Sequence, residues 1–531
     1  MKQFLLTFIL GFICFYGFAQ KSYHVFPKES KSNVGSPLGD GSLQNPWDLQ
    51  TALNQKPEKV NGGDTIWLHN GIYNGRFISR LKNTIEGKRI VVSSYNNEWA
   101  VLNGNVESKQ QEVMAVYSKG VTFQNFEVTW LGDFSRVESD EVFQRSDGIN
   151  HYSGRDCEFI NIRIHNNPGS GFGSWKQTGN AKIENCIIYK NGFLTERRGR
   201  GVGIYVQNAS NDMRIIRGNI IFNNYYKGVE IWSASRKAKS EYVKNVSFED
   251  NILFNSGLVS GKFRDNLIVA TDDVTHVNVA KNIIIRNNIF YHNVSLKKAI
   301  ENTEAPSLTL GFNPKVPIKD IIVENNVIIG RKDAIRFLSV ESIEFNNNSV
   351  YSGYIRFYKQ NLKHLNNNTW EFGSNTYYTR REQPMRIQSY RDYSLGQWYN
   401  TYGLDQNSKW QSFKTFEPKK LVNITKNKHI KNTFRVTLFN LDENEVEVDF
   451  NAYNLPVNAK YTIRDVEDYD KVLASGILSQ SLKIKIPMQV EGYPSKTLNN
   501  FGVFMVSFET EDKAVEKHEG FFKRIIGWLG L

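Results

Sequence analysis

The sequence predicts an all-β chain built on a right-handed parallel β-helix, and three observations carry that prediction. The first is a phrase that recurs down the middle of the chain: an aliphatic residue, a variable one, a small polar one, Asn, then two or three aliphatics. Its copies are Phe159–Asn167 (FINIRIHNN), Ile183–Asn191, Ile216–Asn224, Phe248–Ser256, Ile285–Asn293, Val323–Gly330 and Phe345–Gly353. Their spacing of about 22 to 38 residues suits a solenoid whose units stack on their neighbours. The second is the composition of each unit. Its apolar runs are short, alternating and rich in Ile, Val and Phe, with Asn and Gly at the corners, which reads as strands rather than helices. The third is the repeated Asn itself, which can hold a left-handed corner while its amide bonds to the Asn of the turns above and below.

The elements follow in order. Residues 1–19 carry Lys2, the apolar run Phe4–Phe18, and Gly17 with Ala19 as the small pair before a cleavage point. They read as a signal peptide, cut before Gln20, so export to the periplasm, the cell surface or the medium is expected. Ile13 stands where a small residue would precede a lipidated Cys14, which argues against a lipoprotein. Residues 20–105 supply the amino-terminal cap and first strands. Trp47–Leu53 reads as a short helix over the open end of the solenoid, and TIWLHNGIY and RIVVSSY as strands, because a stacked sheet must shield its first edge. On these residues, Gly39–Asn105, the chain resembles the cap of secreted bacterial right-handed parallel β-helix proteins. That group is the pectate-lyase-like or polysaccharide-lyase-like superfamily, which includes alginate- and chondroitin-lyase-like enzymes. The resemblance implies the solenoid; the residue signatures of pectate and alginate lyases are not found, so it assigns no catalytic residue.

The coils are expected over 106–370, with insertions at Leu131–Ser146, Phe193–Arg200, Ser233–Tyr242, Asn255–Asp265 and Asn293–Ser307. Insertions in a solenoid project from one face and frame its binding groove. Residues 371–420, aromatic and turn-rich, read as a linker. Residues 421–510 alternate in the manner of antiparallel strands and read as a small β-sandwich. The tail 511–531 ends in the amphipathic FFKRIIGWLGL, too short to span a bilayer, and no transmembrane segment is expected.

A formal charge of +12 on an exported chain of 531 residues biases it toward acidic partners. Lys and Arg are scattered and no nucleic-acid motif occurs, so the expected partner is an anionic polysaccharide or oligosaccharide met by a monomer, not nucleic acid. After cleavage only Cys157 and Cys186 remain. They occupy different columns of the repeat and read as buried thiols.

Aligning the strands before the Asn corners on a shared Gly gives Asp147-Gly-Ile-Asn-His-Tyr, Phe172-Gly-Ser-Trp-Lys, Val202-Gly-Ile-Tyr and Lys227-Gly-Val-Glu. Alternation then turns Ile149, Ser174, Ile204 and Val229 inward and Asn150, Trp175, Tyr205 and Glu230 outward, with Tyr152, Gln177, Gln207 and Trp232 beyond them. Such a strip of rings, amides and charges is what sugar binding calls for. Hydrolysis needs paired carboxylates, for which Asp147, Glu230, Asp212, Asp272 and Asp273 are candidates. However, Asp147 and Glu230 stand about three coils, over roughly 10 Å, apart.

Elimination at a uronic acid needs a base, an acid and a cation at the C6 carboxylate. Lys176, Tyr205 and His151 are the candidate catalytic groups. Arg145, Asn150, Lys227 and the run Arg197, Arg198, Arg200 are candidates for the carboxylate, and Asp147, Trp175, Gln207, Glu230 and Trp232 complete the expected substrate contacts. Calcium could replace the basic groups, but no acidic cluster reads as a calcium site and no metal ligand is assigned. The expected function is therefore a carbon–oxygen lyase acting on a uronate-containing glycan such as an ulvan-like one, with sugar or water leaving. A β-helical glycoside hydrolase and a non-catalytic glycan-binding surface protein are the alternatives.

Overall fold

Three sheets of twelve strands each wind into a parallel β-helix. One sheet runs from Ser22–Val25 to Trp370–Gly373, a second from Phe77–Ser79 to Met385–Gln388, and a third from Gly71–Asn74 to Lys409–Ser412. All their pairings are parallel except one hairpin return, Arg391–Tyr393, at the end of the second sheet. Parallel strands joined by crossovers wind right-handed. The computed structural model describes residues 20–30, 33–96, 98–292, 304–412, 420–440, 445–488 and 500–509. The expected signal peptide, the tail FFKRIIGWLGL and most of the insertion Asn293–Ser307 lie outside them. Among the described residues no helix is long and apolar enough to cross a membrane.

The sequence alternation has a direct structural counterpart. In the second sheet the inward residues Ile149, Phe172, Ile204, Val229, Leu267, Leu308 and Ile335 stand in register, coil upon coil, and all are 0% exposed. Each contributes about 1.5–3 kcal/mol by leaving water.

The Asn corner divides its two roles between adjacent positions. Asn219, Asn251, Asn288, Asn326, Asn348 and Asn375 form a buried ladder in which each Nδ2 donates to the next Oδ1 at 2.9–3.2 Å. The left-handed turn falls on the residue before: Gly218 (φ 70), Asp250 (56), Asn287 (58), Asn325 (56) and Asn347 (57). A side chain that must point inward to its neighbours cannot also relieve the corner, so a second small polar residue takes that task. Cys186 occupies the first rung of this ladder, its backbone N–H donating to Asn219 Oδ1 at 2.9 Å. Both Cys157 and Cys186 are free and buried, and burial pushes each thiol up to about 12.

The expected cap helix is Leu49–Leu53. Asp48 caps it by accepting from Thr51 N at 2.7 Å, and Leu49, Ala52 and Leu53 close the first coil. The far end differs from the expected linker. Trp370–Gly373, Thr376–Thr379 and Met385–Gln388 extend the three sheets by another coil. The helix Leu395–Tyr402, held by a capping box of Ser394 and Gln397, then buries Trp398 with its ring 4.5 Å from that of Phe357. The aromatic content of this segment plugs the end of the core. The solenoid unit accordingly runs to Ser412, and the remainder is a second unit. There a five-stranded and a two-stranded antiparallel sheet enclose one core containing Phe434, Val436, Val448, Ile463, Ile484 and Phe504.

Candidate functional site

The second sheet carries the outward strip, with one change of register. Ile149 pairs with Phe172, Phe172 with Ile204, and Ile204 with Val229, so the aligning glycine is Gly171 and not Gly173. The reason is steric. A Cβ at Gly148, Gly171, Gly203 or Gly228 would lie 2.5–2.7 Å from a carbonyl oxygen of the next coil. Gly173 instead sits on the outer row, where a Cβ would lie 1.9 Å from Asn150 Oδ1. A shift of two residues preserves which side chains point out, but it moves Trp175 from the row of Asn150, Tyr205 and Glu230 to that of Tyr152, Gln207 and Trp232.

Where these rows meet the insertions, a cavity of about 520 Å³ opens. Four cations border it: Arg145, Arg198, Arg200 and Lys227. Two carboxylates do so, Glu230 and Asp272, together with the rings of Phe193, Tyr205, Tyr226, Trp232 and Phe312. Lys227 Nζ is 2.7 Å from Glu230 Oε1, and both side chains are largely buried. Burial opposes the charge on Lys227, but Glu230 and Asp265 outweigh it and hold its pKa above the ordinary value. Asp265 lies behind this pair and bonds Arg336 at 2.6 Å. Burial would raise its pKa, but Arg336 and Lys227 bring it below the usual carboxylate range.

Tyr205 pairs with Glu230 across adjacent coils. Burial first, and the Glu230 charge second, push its phenol well above its ordinary value, so it is neutral near pH 7. Its hydroxyl accepts from Gln207 Nε2 at 3.1 Å, and Gln207 Nε2 also reaches Trp232 O at 3.3 Å. Tyr226 walls one side, with the Arg198, Lys227 and Arg264 cations 4.5, 4.8 and 5.3 Å from its ring centre.

The remaining expected residues divide. His151 is a correction: it points inward, 0% exposed, with its ring 5.3 Å from that of Phe159. Burial and the nearby Arg214 push its pKa down to about 3, so it is a neutral core residue. Its place between the outward Asn150 and Tyr152 already put it on the inner face. Lys176 is exposed beside a bulge in the pairing and lies over the Tyr242 ring at 4.7 Å, away from the cavity lining. Asp147 accepts from Ser170 N at 2.7 Å and from Asn150 Nδ2 at 3.1 Å, and burial raises its pKa. Asn150 also accepts from Trp175 Nε1 at 3.0 Å and bonds Tyr152, whose hydroxyl donates to Glu112. Asp147, Asn150 and Trp175 thus form a rigid shelf two to three coils from Glu230.

Arg197 does not line the cavity, Asp212 bonds Arg155 elsewhere, and Asp273 is buried as an acceptor for Thr275, Asn278 and Ala238. Among the described residues no group of three or more His, Cys, Asp or Glu is placed to hold a metal ion.

Sequence reasoning missed Tyr226, Phe312, Phe193 and Asp265. Phe193 and Asp265 stand at the ends of insertions, and Tyr226 and Phe312 in the short connections between strands, where the repeat gives no register to read. Further along the sheet Arg336, Arg356 and Arg386 continue the Glu230 row, each bonded to a carboxylate: Asp265, Asp333 and Asp392.

No protein-family model and no curated protein matches this chain. Several solved structures are similar to it. XylC, solved in complex with xylose, is 12% identical and matches 87% of this chain and 95% of its own, with a TM-score of 0.47. The GH136 lacto-N-biosidase of Eubacterium ramulus is 13% identical over 74% of this chain and 67% of its own, also at 0.47. A rhamnogalacturonan lyase is 14% identical over 78% and 90%, at 0.44.

Proposed function

We propose that this chain is an exported carbohydrate-active enzyme of acidic glycans. In this reading it is a carbon–oxygen lyase that β-eliminates at a uronic acid and leaves a 4,5-unsaturated uronate, with a sugar or water departing from C4. The observation that carries the reading is the cavity lining, in which four cations face two carboxylates among five rings. Rings suit the apolar faces of pyranoses, and the excess of cations suits an anionic one.

In this reading Arg145, Arg198 and Arg200, which line the cavity, meet the C6 carboxylate. Charge neutralised there makes the C5 proton more acidic and stabilises the enolate-like transition state. Glu230, fixed by Lys227, takes that proton in place of the expected Lys176 and His151. Tyr205 is neutral, and Gln207 occupies an acceptor site on its oxygen. Its own proton is therefore available for the oxygen leaving C4. The C5–H and C4–O bonds break as the C4–C5 double bond forms; Glu230 then releases the C5 proton to water, and Tyr205 recovers its own from water, which restores both groups.

The test incubates the purified protein with a panel of uronate-containing glycans. It follows ultraviolet absorbance of the unsaturated product alongside new reducing ends. Tyr205→Phe is expected to lower kcat by about 10²–10⁴-fold with substrate binding retained. Reducing ends without absorbance would reject elimination. They would favour a hydrolase using Glu230 and Asp272, a second reading supported by the presence of both carboxylates at the same cavity.

A further inference from the structure

The outward face of the second sheet is open on one side of the cavity and closed on the other. In the next two coils the positions in register with Glu230 are Ile268 and Thr309, 3% and 0% exposed, although both point out of the solenoid. Ala270, in register with Trp232, is 0% exposed. Phe312 stands edge-on to Trp232 with ring centres 5.0 Å apart, and the adjacent Asn313 donates to Asp272 at 2.7 Å. This side is sealed.

In the other direction the rings of Trp175, Tyr152 and Tyr117 follow one another. Tyr205 and Trp175 are 5.3 Å apart, Trp175 and Tyr152 6.0 Å, and Tyr152 and Tyr117 5.4 Å. Tyr117 is 39% exposed, and the Arg80 guanidinium lies 5.8 Å from its centre. The shelf of Asn150 and Glu112 fixes Trp175 and Tyr152, so a ligand laid over them finds the strip already ordered.

We infer that the cavity takes the terminal residue of an acidic oligosaccharide whose following sugars lie back over Trp175, Tyr152 and Tyr117 toward Arg80. The inference rests on the acidic-glycan reading above and adds to it the polarity of the site and its action at chain ends. A polymer bound through its middle needs open surface on both sides of the reacting unit, and buried Ile268, Ala270 and Thr309 leave none on one. From the strand of Tyr205 back to that of Tyr117 is three strand spacings, roughly 14 Å, enough for a few sugars in file.

The experiment uses the full chain with galacturonate, glucuronate and mannuronate oligomers from dimer to pentamer, and the parent polymers. Turnover is expected to release one end unit at a time, with kcat/KM rising with length. Trp175 meets the second sugar, so Tyr152→Ala, one ring further on, is expected to cost about tenfold on the tetramer and under twofold on the dimer. Tyr117→Ala, at a half-exposed ring, should weaken only the tetramer and pentamer. Internal fragments appearing from the first time points, or equal losses on dimer and tetramer, would overturn the inference while leaving the acidic-glycan reading intact. Where an oligomer binds without turnover, calorimetric affinity replaces rate: tighter binding with length that Tyr152→Ala reduces beyond the dimer supports the inference, and length-independent binding refutes it. Neither binding nor turnover by any oligomer would reject both readings.

Discussion

Removing Lys227 should cost far more than removing Glu230, although the two form a single ion pair. Lys227 serves two carboxylates, bonding Glu230 at 2.7 Å and acting through space on Asp265, in side chains 10%, 12% and 8% exposed. In Lys227→Met, Glu230 is left charged and buried without its partner, and Asp265 keeps Arg336 and the Thr309 hydroxyl. Breaking a buried pair by deleting one member costs about 3–5 kcal/mol. The retained Arg336 places the expected loss near the lower end, at about 3 kcal/mol. In Glu230→Gln, Lys227 keeps the field of Asp265 and a neutral acceptor at the same place, so a loss of about 1 kcal/mol is expected, the scale of one hydrogen bond.

The pH dependence separates this from a packing effect. In the native chain Asp265 has a folded pKa below its unfolded value, so its contribution is present above about 3.9 and lost as pH falls through the lower folded value. In Lys227→Met, burial of Asp265 is no longer fully offset, and its folded pKa moves upward. The variant then binds more protons folded than the native chain does, and its deficit should shrink as pH is lowered from neutral toward 5. Urea denaturation of both variants and the native chain at two pH values measures this. Equal losses, or a Lys227→Met deficit that is constant or grows on acidification, would refute the reasoning.

Two further outcomes follow from the placement of other residues. His151→Phe, which puts a ring of similar shape beside Phe159, should leave turnover within about twofold, whereas loss of a general acid or base costs about 10²–10⁴-fold in kcat. Asn288→Ala removes two bonds accepted from Asn251 and two donated to Phe248 O and Asn326, all in a fully buried column. Asn326 Oδ1 keeps the Asn288 backbone N–H at 2.9 Å; with the other three groups stranded at about 1–3 kcal/mol each before relaxation, a stability loss of at least about 3 kcal/mol is expected in urea denaturation. A loss below about 1 kcal/mol would show that the ladder is not a major support.

The fold was legible because the solenoid is periodic. Each coil repeats the same demand for an apolar inward residue, a left-handed corner and a ladder Asn, so phrases such as IRGNIIFNN state the architecture many times over. Alternation likewise determined which of Asn150, Tyr205 and Glu230 faced outward, and it also placed His151 inside. The sequence left the register of one coil ambiguous, since Gly171 and Gly173 both stand near the strand and only a carbonyl oxygen of the neighbouring coil distinguishes them. It also gave no sign that residues 371–412 complete the solenoid, because the last coil needs large rings to plug an open core and so departs from the repeat.

What the sequence by itself determined, then, is everything that repeats along the axis: the parallel strands, the corners and the outward strip. Tertiary structure alone decided what depends on contacts between distant insertions. It brought Arg145, Arg198, Tyr226 and Phe312 around Glu230, set Asp265 within the field of Lys227, and raised the Tyr205 phenol through burial and the Glu230 charge. Periodicity encodes neighbours one coil apart, whereas a cavity and its electrostatics are set by loops that meet in space without any common spacing in the chain.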